Sequence, residues 1–395
     1  MTFATLAVVV VAGIAGPLLA LPRRWHLPVM LGELAAGLAL GSTGTGYLDA
    51  ADPTFSFLGQ IGFALVMFVA GSHVPVRSRE LRSALRPSVL RVAVTAALAV
   101  LVALALNVLF HTGHVGIYAV LMASSSAALI LPTVQSLGLS GDAVLASLPQ
   151  VALADAACIV ALPLVIDPRH AVRAGLGSVA VLTVAGLVFL LLRQAEHSGW
   201  RRRLHRVSED RRFALELRFS LAVLFGLAAL AAALKVSVLL AGFSLGLAVA
   251  AVGSPRRLTR QLFAITEGLF GPVFFVWLGA SLDVRGLGHN SHFVVVGILL
   301  GLGAALAHLS GRLFGQPAAL ALLTSAQLGV PVAAVTIGTQ LRVLADGEAS
   351  AMLLGALITI AVSVGGAAVY SRRGPDSVGT SQDSAGLTSP GGRPP

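Results

Sequence analysis

The sequence predicts an all-α polytopic membrane protein of about thirteen transmembrane helices, with inverted-topology repeats and two broken helices. Three observations predict it: a composition too apolar for a water-exposed surface, a succession of apolar runs of membrane length, and basic residues concentrated in alternate loops. Of 395 residues, 56% are hydrophobic and only 11% charged, and the mean hydropathy is +0.89. Soluble domains carry roughly 25% charged residues, so this chain cannot build a water-compatible surface. Its 43 glycines suit membrane helices that pack through small residues. A single cysteine, Cys158, excludes an intrachain disulfide and a cysteine-rich metal site, and no cofactor is expected. The formal charge of +10 would point to nucleic acid in a soluble chain. Here the basic residues sit in short loops between apolar runs, so the expected partner is the lipid bilayer and not nucleic acid.

A span needs about 20 mostly apolar residues. The first, 2–22, lacks a basic leader and continues directly to Arg23 and Arg24, so it reads as a membrane span and not as a cleaved signal peptide. The others fall at about 26–43, 55–74, 87–110, 115–138, 143–166, 171–192, 214–234, 236–253, 259–282, 293–314, 318–340 and 349–371. Together they form one transmembrane domain, 1–371, with repeat halves of about 1–166 and 214–371. Residues 372–395 are rich in Gly, Ser and Pro and read as a disordered cytoplasmic tail with no further regulatory domain.

Loops after odd-numbered spans, with the tail, hold 22 of the 27 Lys and Arg residues, including "RSRELRSALR" (77–86), "RRRLHRVSEDRR" (201–212) and "PRRLTR" (255–260). The other loops hold five: Arg169, Arg173, Lys235, Arg285 and Arg342. By the positive-inside rule the N-terminus lies outside and the C-terminus in the cytoplasm, which fits a multi-pass protein of the plasma membrane.

Spans 5 and 12 share an unusual feature. One reads "SSSAALILPTV" and the other "TSAQLGVPVAA"; in each a serine (Ser126, Ser325) precedes a proline (Pro132, Pro331) by six residues, and the copies lie 199 residues apart. Proline removes a backbone donor and clashes with the preceding turn, and exposed backbone survives at membrane depth only beside protein or a water-filled cavity. Both spans are therefore expected to break. At an offset of 209, "LAAGLALG" (34–41) resembles "FSLGLAVA" (243–250) and "GFALVMFVAGS" (62–72) resembles "GPVFFVWLGAS" (271–281). Spans 2, 3 and 5 thus match spans 9, 10 and 12. A shift of seven spans inverts the second copy, and inverted repeats with broken helices in corresponding positions point to a secondary transporter.

One charge interrupts the apolar run "QVALADAACIVALPLV" (150–165): Asp155. In span 6 it lies about 18 Å from the start at 1.5 Å per residue, near the bilayer midplane. A carboxylate there costs at least about 2.5–3.5 kcal/mol on insertion scales. It is either a structural aspartate held by a hydroxyl or a site where a proton and a metal cation compete for one carboxyl group. Ser124, Ser125, Ser126 and Thr133 on broken span 5 would supply the neutral oxygens that hard cations take.

The remaining intramembrane candidates are accessory. Glu33 is a second ionisable group or an interfacial anchor. Glu267 reads as pairing near the inner face, and Lys235 as snorkelling at a span end. Gln327 and Ser325, on broken span 12, either satisfy freed backbone groups or contact an ion. His308 reads as a helix-packing histidine. "GFSLG" (242–246) matches the serine-hydrolase elbow G-x-S-x-G, but that motif needs a strand–turn–helix context. Inside an apolar run it reads better as a GxxxG packing motif, so no enzymatic activity is expected.

With these residues in view, the chain resembles the monovalent cation:proton antiporter-2 family of the sodium/proton exchanger superfamily over about residues 5–370. The landmarks are "LPVMLGELAAGLALGSTGTGYL" (27–48), "LGQIGFALVMFVAGSHV" (58–74), "SSSAALILPTV" (124–134), "ALADAACIVAL" (152–162) and "GPVFFVWLGASLD" (271–283). The resemblance implies a sodium/proton antiporter-like fold in a homodimer, with a mobile core whose two broken helices cross. It also implies exchange of Na+ or K+ for H+ by alternating access, with Asp155 at the family's aspartate position. Three positions depart from the family pattern. Ala154 stands where a polar partner usually precedes the aspartate, no Lys or Arg lies near Gly303 in span 11, and His73 replaces an acid in span 3. These departures lead to an expectation of electroneutral exchange on one titrating carboxylate. Two alternatives stay open: a transport-inactive or sensory membrane protein on the same scaffold, and a transporter of another solute, which midmembrane arginines would favour.

Overall fold

The computed structural model describes residues 1–21, 29–72, 79–166, 168, 171–198, 214–234, 236–253, 256–282, 285, 291–345 and 347–373. Arg23, Arg24, His73, Lys235, the basic loop 201–212 and the tail beyond Arg373 lie outside them. Among the described residues every regular element is helical. Nine helices there are long and apolar enough to cross a membrane, and four shorter apolar ones run over Val29–Leu40, Val115–Leu131, Val238–Val252 and Gly329–Thr339.

In chain order the helices are α1 (Phe3–Gly13), α2 (Ala15–Ala20), α3 (Val29–Leu40), α4 (Pro53–Ser72), α5 (Arg79–Phe110), α6 (Val115–Ala123), α7 (Ala127–Ser136), α8 (Asp142–Ile166) and α9 (Ala171–His197). There follow α10 (Leu215–Ala233), α11 (Val238–Val252), α12 (Arg256–Ile265), α13 (Gly271–Ser281), α14 (Ser291–Leu309), α15 (Ala318–Leu323), α16 (Gly329–Gln340) and α17 (Glu348–Arg373). A π-turn, Thr266–Phe270, joins α12 to α13, and a 3-10 turn, Ser310–Phe314, extends α14. α5 begins at Arg79, eight residues before the apolar run, because Arg, Glu, Leu and Ala are good helix formers outside the membrane too. Hydropathy does not register that extension.

The helices pack in two groups. In one, α4 lies along α11 and α3 along α13, α1 and α2 close the edge, and α9 and α10 flank α11. In the other, α14 lies along α17, α5 packs on α6 and α8, α15 packs on α17, and α16 packs on α8. Contacts of α7 with α4, and of α8 with α9 and α11, connect the groups.

Glycine sets the close crossings of the first group. A methyl group at Gly37 would stand 2.1 Å from the Val276 carbonyl oxygen, and one at Gly279 2.1 Å from that of Leu34. The α4–α11 crossing uses the "GFSLG" glycines: methyls at Gly242 and Gly246 would meet the carbonyl oxygens of Ala64 and Phe68 at 2.5 and 2.4 Å. Ser244, between them, donates to Ala241 O in its own helix at 3.2 Å, which is a packing role and not a nucleophile's.

In the second group a polar clasp ties the start of α6 to the start of α17. The Glu348 carboxylate lies 2.6 Å from His114 Nδ1 and accepts from the Tyr118 hydroxyl at 2.7 Å and from the Ala345 N–H at 2.9 Å. The hydrogen bond to Glu348 is the main cause that holds the His114 pKa above its usual 6.5. Neutral tautomers of a buried pair lose part of that attraction, so the clasp is strongest when His114 is protonated.

Candidate functional site

Spans 5 and 12 are both interrupted. The first stops as helix at Ala123 and resumes at Ala127, leaving Ser124–Ser126 outside regular helix; the second stops at Leu323 and resumes at Gly329. Both interruptions lie ahead of the prolines expected to cause them. Pro331 falls in the first turn of α16, where a missing N–H is no loss because the first four donors have no intrahelical partner anyway. Pro132 falls within α7, and the non-helical residues there are the serines. The two interruptions meet: the Ser125 hydroxyl donates to the Thr324 carbonyl at 2.6 Å.

Asp155 stands in the middle of α8, 1% exposed, with Ala154 at 2%. Its Oδ2 accepts a hydrogen bond from the Ala127 N–H, the first residue of α7, at 3.0 Å. A helix start presents unpaired N–H groups and a partial positive charge, so the broken span supplies the carboxylate with a partner that carries no formal charge. This local arrangement exists because the chain leaves helix at the three serines and re-enters it beside α8.

The hydroxyls expected around Asp155 are all buried. Ser124 donates to Leu121 O at 2.7 Å and Thr133 to Leu129 O at 2.7 Å, each within its own half-helix. The Ser126 hydroxyl, at the N-cap of α7 and next to the residue that binds Asp155, makes no hydrogen bond among the described residues. A buried hydroxyl without a partner costs about 1–3 kcal/mol, and here it leaves oxygen lone pairs one residue from the carboxylate's donor.

On span 12, Ser325 donates to Leu322 O at 2.7 Å. The Gln327 N–H donates to Thr359 Oγ1 at 3.2 Å, while its side-chain Nε2 has no partner among the described residues. Glu33 is buried on α3, within the electrostatic reach of Glu267. A methyl group at Gly16 would lie 2.7 Å from its Cγ. α3 packs on α1, α2 and α13, so Glu33 belongs to the other helix group and stands apart from Asp155.

His308 was read from sequence as a packing residue, and its surroundings are more specific. The ring is 1% exposed, its Nδ1 lies 3.1 Å from Thr324 Oγ1, and its Nε2 makes no hydrogen bond among the described residues. It therefore borders the second interruption, on a helix that packs against both α6 and α15. At Gly303, near which the family carries a basic residue, a methyl would meet Val102 Cγ1 at 2.8 Å and Met122 Sδ at 2.9 Å, so a larger side chain would have to displace both. A histidine in an apolar run was the available signal, but its partners lie on helices far away in sequence.

Solved structures share this architecture. Two structures of the sodium proton antiporter MjNhaP1 from Methanocaldococcus jannaschii, one of them at pH 8, each cover 94% of this chain. They superpose with TM-scores of 0.64 and 0.67 at 15% identity, over 97% and 98% of their own length. Among curated relatives, the putative Na(+)/H(+) antiporter YjbQ of Bacillus subtilis is 22% identical over 377 residues, 90% of this chain and 61% of its own length. The Na(+)/H(+) antiporter NhaS5 of Synechocystis sp. is 26% identical over 268 residues, 66% of this chain and 37% of its own. The chain thus spans less than two thirds of either relative's length. The sequence profile of the transmembrane sodium/hydrogen exchanger family matches residues 6–369. The landmark motifs pointed to this superfamily, and the match extends over nearly the whole chain: it belongs to the sodium/hydrogen exchanger family.

Proposed function

We propose that the chain is a secondary active transporter that exchanges a monovalent cation, Na+ or K+, for protons across the plasma membrane by alternating access. The observation that carries this reading is Asp155: a buried carboxylate that receives the first N–H of a broken half-helix, whose N-cap hydroxyl has no partner among the described residues. One carboxyl group can hold a proton or a metal cation but not both, so loading one expels the other, and carrying each in turn across the membrane is exchange. Ser125, Ser126 and Thr133 supply neutral oxygens around the cation, with Ser325 and Gln327 as accessory groups on the second interruption. The names of the relatives, all sodium/proton antiporters, support the same substrates.

Nine long helices and four shorter ones, one for each of the thirteen stretches, support the thirteen-span count. Interruptions at corresponding places in spans 5 and 12 support the inverted repeat, with halves of about 1–166 and 214–371. The basic-loop distribution supports an outside N-terminus and a cytoplasmic C-terminus. The two helix groups serve as a dimerisation body and a moving body in a homodimer. Ala154 offers no second titrating group beside Asp155, and this supports an electroneutral cycle.

Proteoliposomes with an entrapped pH dye, pulsed with Na+, K+ or Li+, test the reading. Cation-driven proton movement that disappears in Asp155→Asn is the expected result, and unchanged activity in that variant would refute it. Currents on solid-supported membranes test stoichiometry: a current that scales with transport rate would exclude electroneutral exchange.

A further inference from the structure

At each interruption a freed backbone N–H is received by a side chain of another helix, with different chemistry. At the first, the Ala127 N–H donates to Asp155 on α8; at the second, the Gln327 N–H donates to Thr359 on α17. The donors lie 200 residues apart and the acceptors 204 apart, so Thr359 stands in the second half of the chain where Asp155 stands in the first. Thr359 is fully buried. Its hydroxyl donates its only proton to Ala356 O at 2.7 Å, which leaves its lone pairs to receive Gln327. One turn further along α17, Ser363 donates to Leu323 O at 2.8 Å. α17 thus grips the second interruption at two points, an amide within it and the last carbonyl of the helix that precedes it.

A threonine hydroxyl neither takes up a proton nor ionises at working pH, and it is a poor match for a cation in competition with its own hydrogen bonds. We propose that Thr359 is a positioning residue, the neutral counterpart of Asp155. It clamps the non-helical segment just ahead of α16 throughout the cycle, so that only the α7 side responds when cation and proton exchange. This rests on the antiport reading above for its consequence, though not for its geometry.

The test compares the full-length chain with Thr359→Val, which removes the acceptor at nearly constant volume, and Thr359→Ser, which keeps it. Two readouts are taken: hydrogen–deuterium exchange of the peptide spanning 324–330, and the apparent KM and maximal rate of cation-driven proton movement. In Thr359→Val the exchange of the 324–330 peptide should rise about fivefold to tenfold, as expected for one lost hydrogen bond. The apparent KM should rise several-fold, and Thr359→Ser should restore both. Wild-type exchange together with wild-type KM in Thr359→Val would overturn the proposal. If Thr359→Val does not fold, the wild-type amide decides: Gln327 should be protected to the degree of Ala127, and rapid exchange there would equally overturn it. Absence of any transport by the wild type refutes the antiport reading, while the exchange measurement still decides the role of Thr359.

Discussion

The two helix breaks of this chain differ in one respect that organises everything around them. At the first, a carboxylate receives the backbone amide; at the second, a hydroxyl does. The first break leaves the Ser126 hydroxyl without a hydrogen bond among the described residues; at the second, Thr359 and Ser363 hold the backbone and the Gln327 side-chain Nε2 is the group left without one. A satisfied buried network is rigid, and a buried polar group without a partner is costly. The comparison teaches that two breaks can hold a freed backbone amide with an ionisable side chain in one case and a neutral one in the other. His308 borders the second break through Thr324.

The largest effect is expected from removing the charge at the first break. Asp155→Asn keeps an acceptor for Ala127 and loses the group that binds cation or proton, so transport should fall by at least about 100-fold. Exchange in proteoliposomes checks this, and thermal stability should be retained. His308→Leu should act on structure instead. It removes the ring nitrogen paired with Thr324 and should cost about 1–2 kcal/mol, read as a lowered unfolding midpoint in detergent, with His308→Gln recovering part of it. If His308→Leu melts like the wild type, this ring does not hold the second break.

Ser126→Ala sharpens the contrast from the other direction. No hydrogen bond is lost, so stability should change by less than about 0.5 kcal/mol. Apparent cation affinity should fall about fivefold to tenfold, the equivalent of about 1 kcal/mol. An unchanged KM would remove Ser126 from the site. Glu33→Gln, in the other helix group, should leave KM unaltered.

The smallest effect is expected at the clasp above the first break. His114 has a raised pKa because of Glu348. Its stabilising contribution is therefore complete below its unfolded value near 6.5 and is lost as pH rises through the folded value. His114→Gln should be destabilised relative to the wild type by about 1 kcal/mol in mild acid. The gap should narrow as the medium is made alkaline, which melting curves over a pH series would show. A gap that widens with pH would contradict the pairing.

Much of the fold was legible in the chain because the bilayer imposes one-dimensional rules. Apolar runs of membrane length, basic residues in alternate loops and the paired serine–proline stretches could all be read without a partner in view. Asp155 stood out for the same reason, since an ionisable group in an apolar run is costly wherever the run folds. What was not legible was every role that depends on a partner far away in sequence. Pro132 and Pro331 marked the broken spans but not the broken residues, because the breaks are settled by Asp155 and Thr359 receiving freed backbone amides and by Ser125 and Ser363 donating to the carbonyls of Thr324 and Leu323. His308 and Thr359 look like ordinary members of apolar helices until Thr324 and Gln327 are brought to them.

The sequence alone therefore determined that this is a polytopic membrane protein of the sodium/hydrogen exchanger kind with one carboxylate, Asp155, set in an apolar run, since hydropathy and charge are properties of each residue in turn. Only the tertiary structure decided which backbone amide meets that carboxylate, which hydroxyl stays without a partner and which threonine mirrors it. Hydrogen bonds act over about 3 Å, and residues 28, 32 or 199 positions apart come within that distance only when the helices pack.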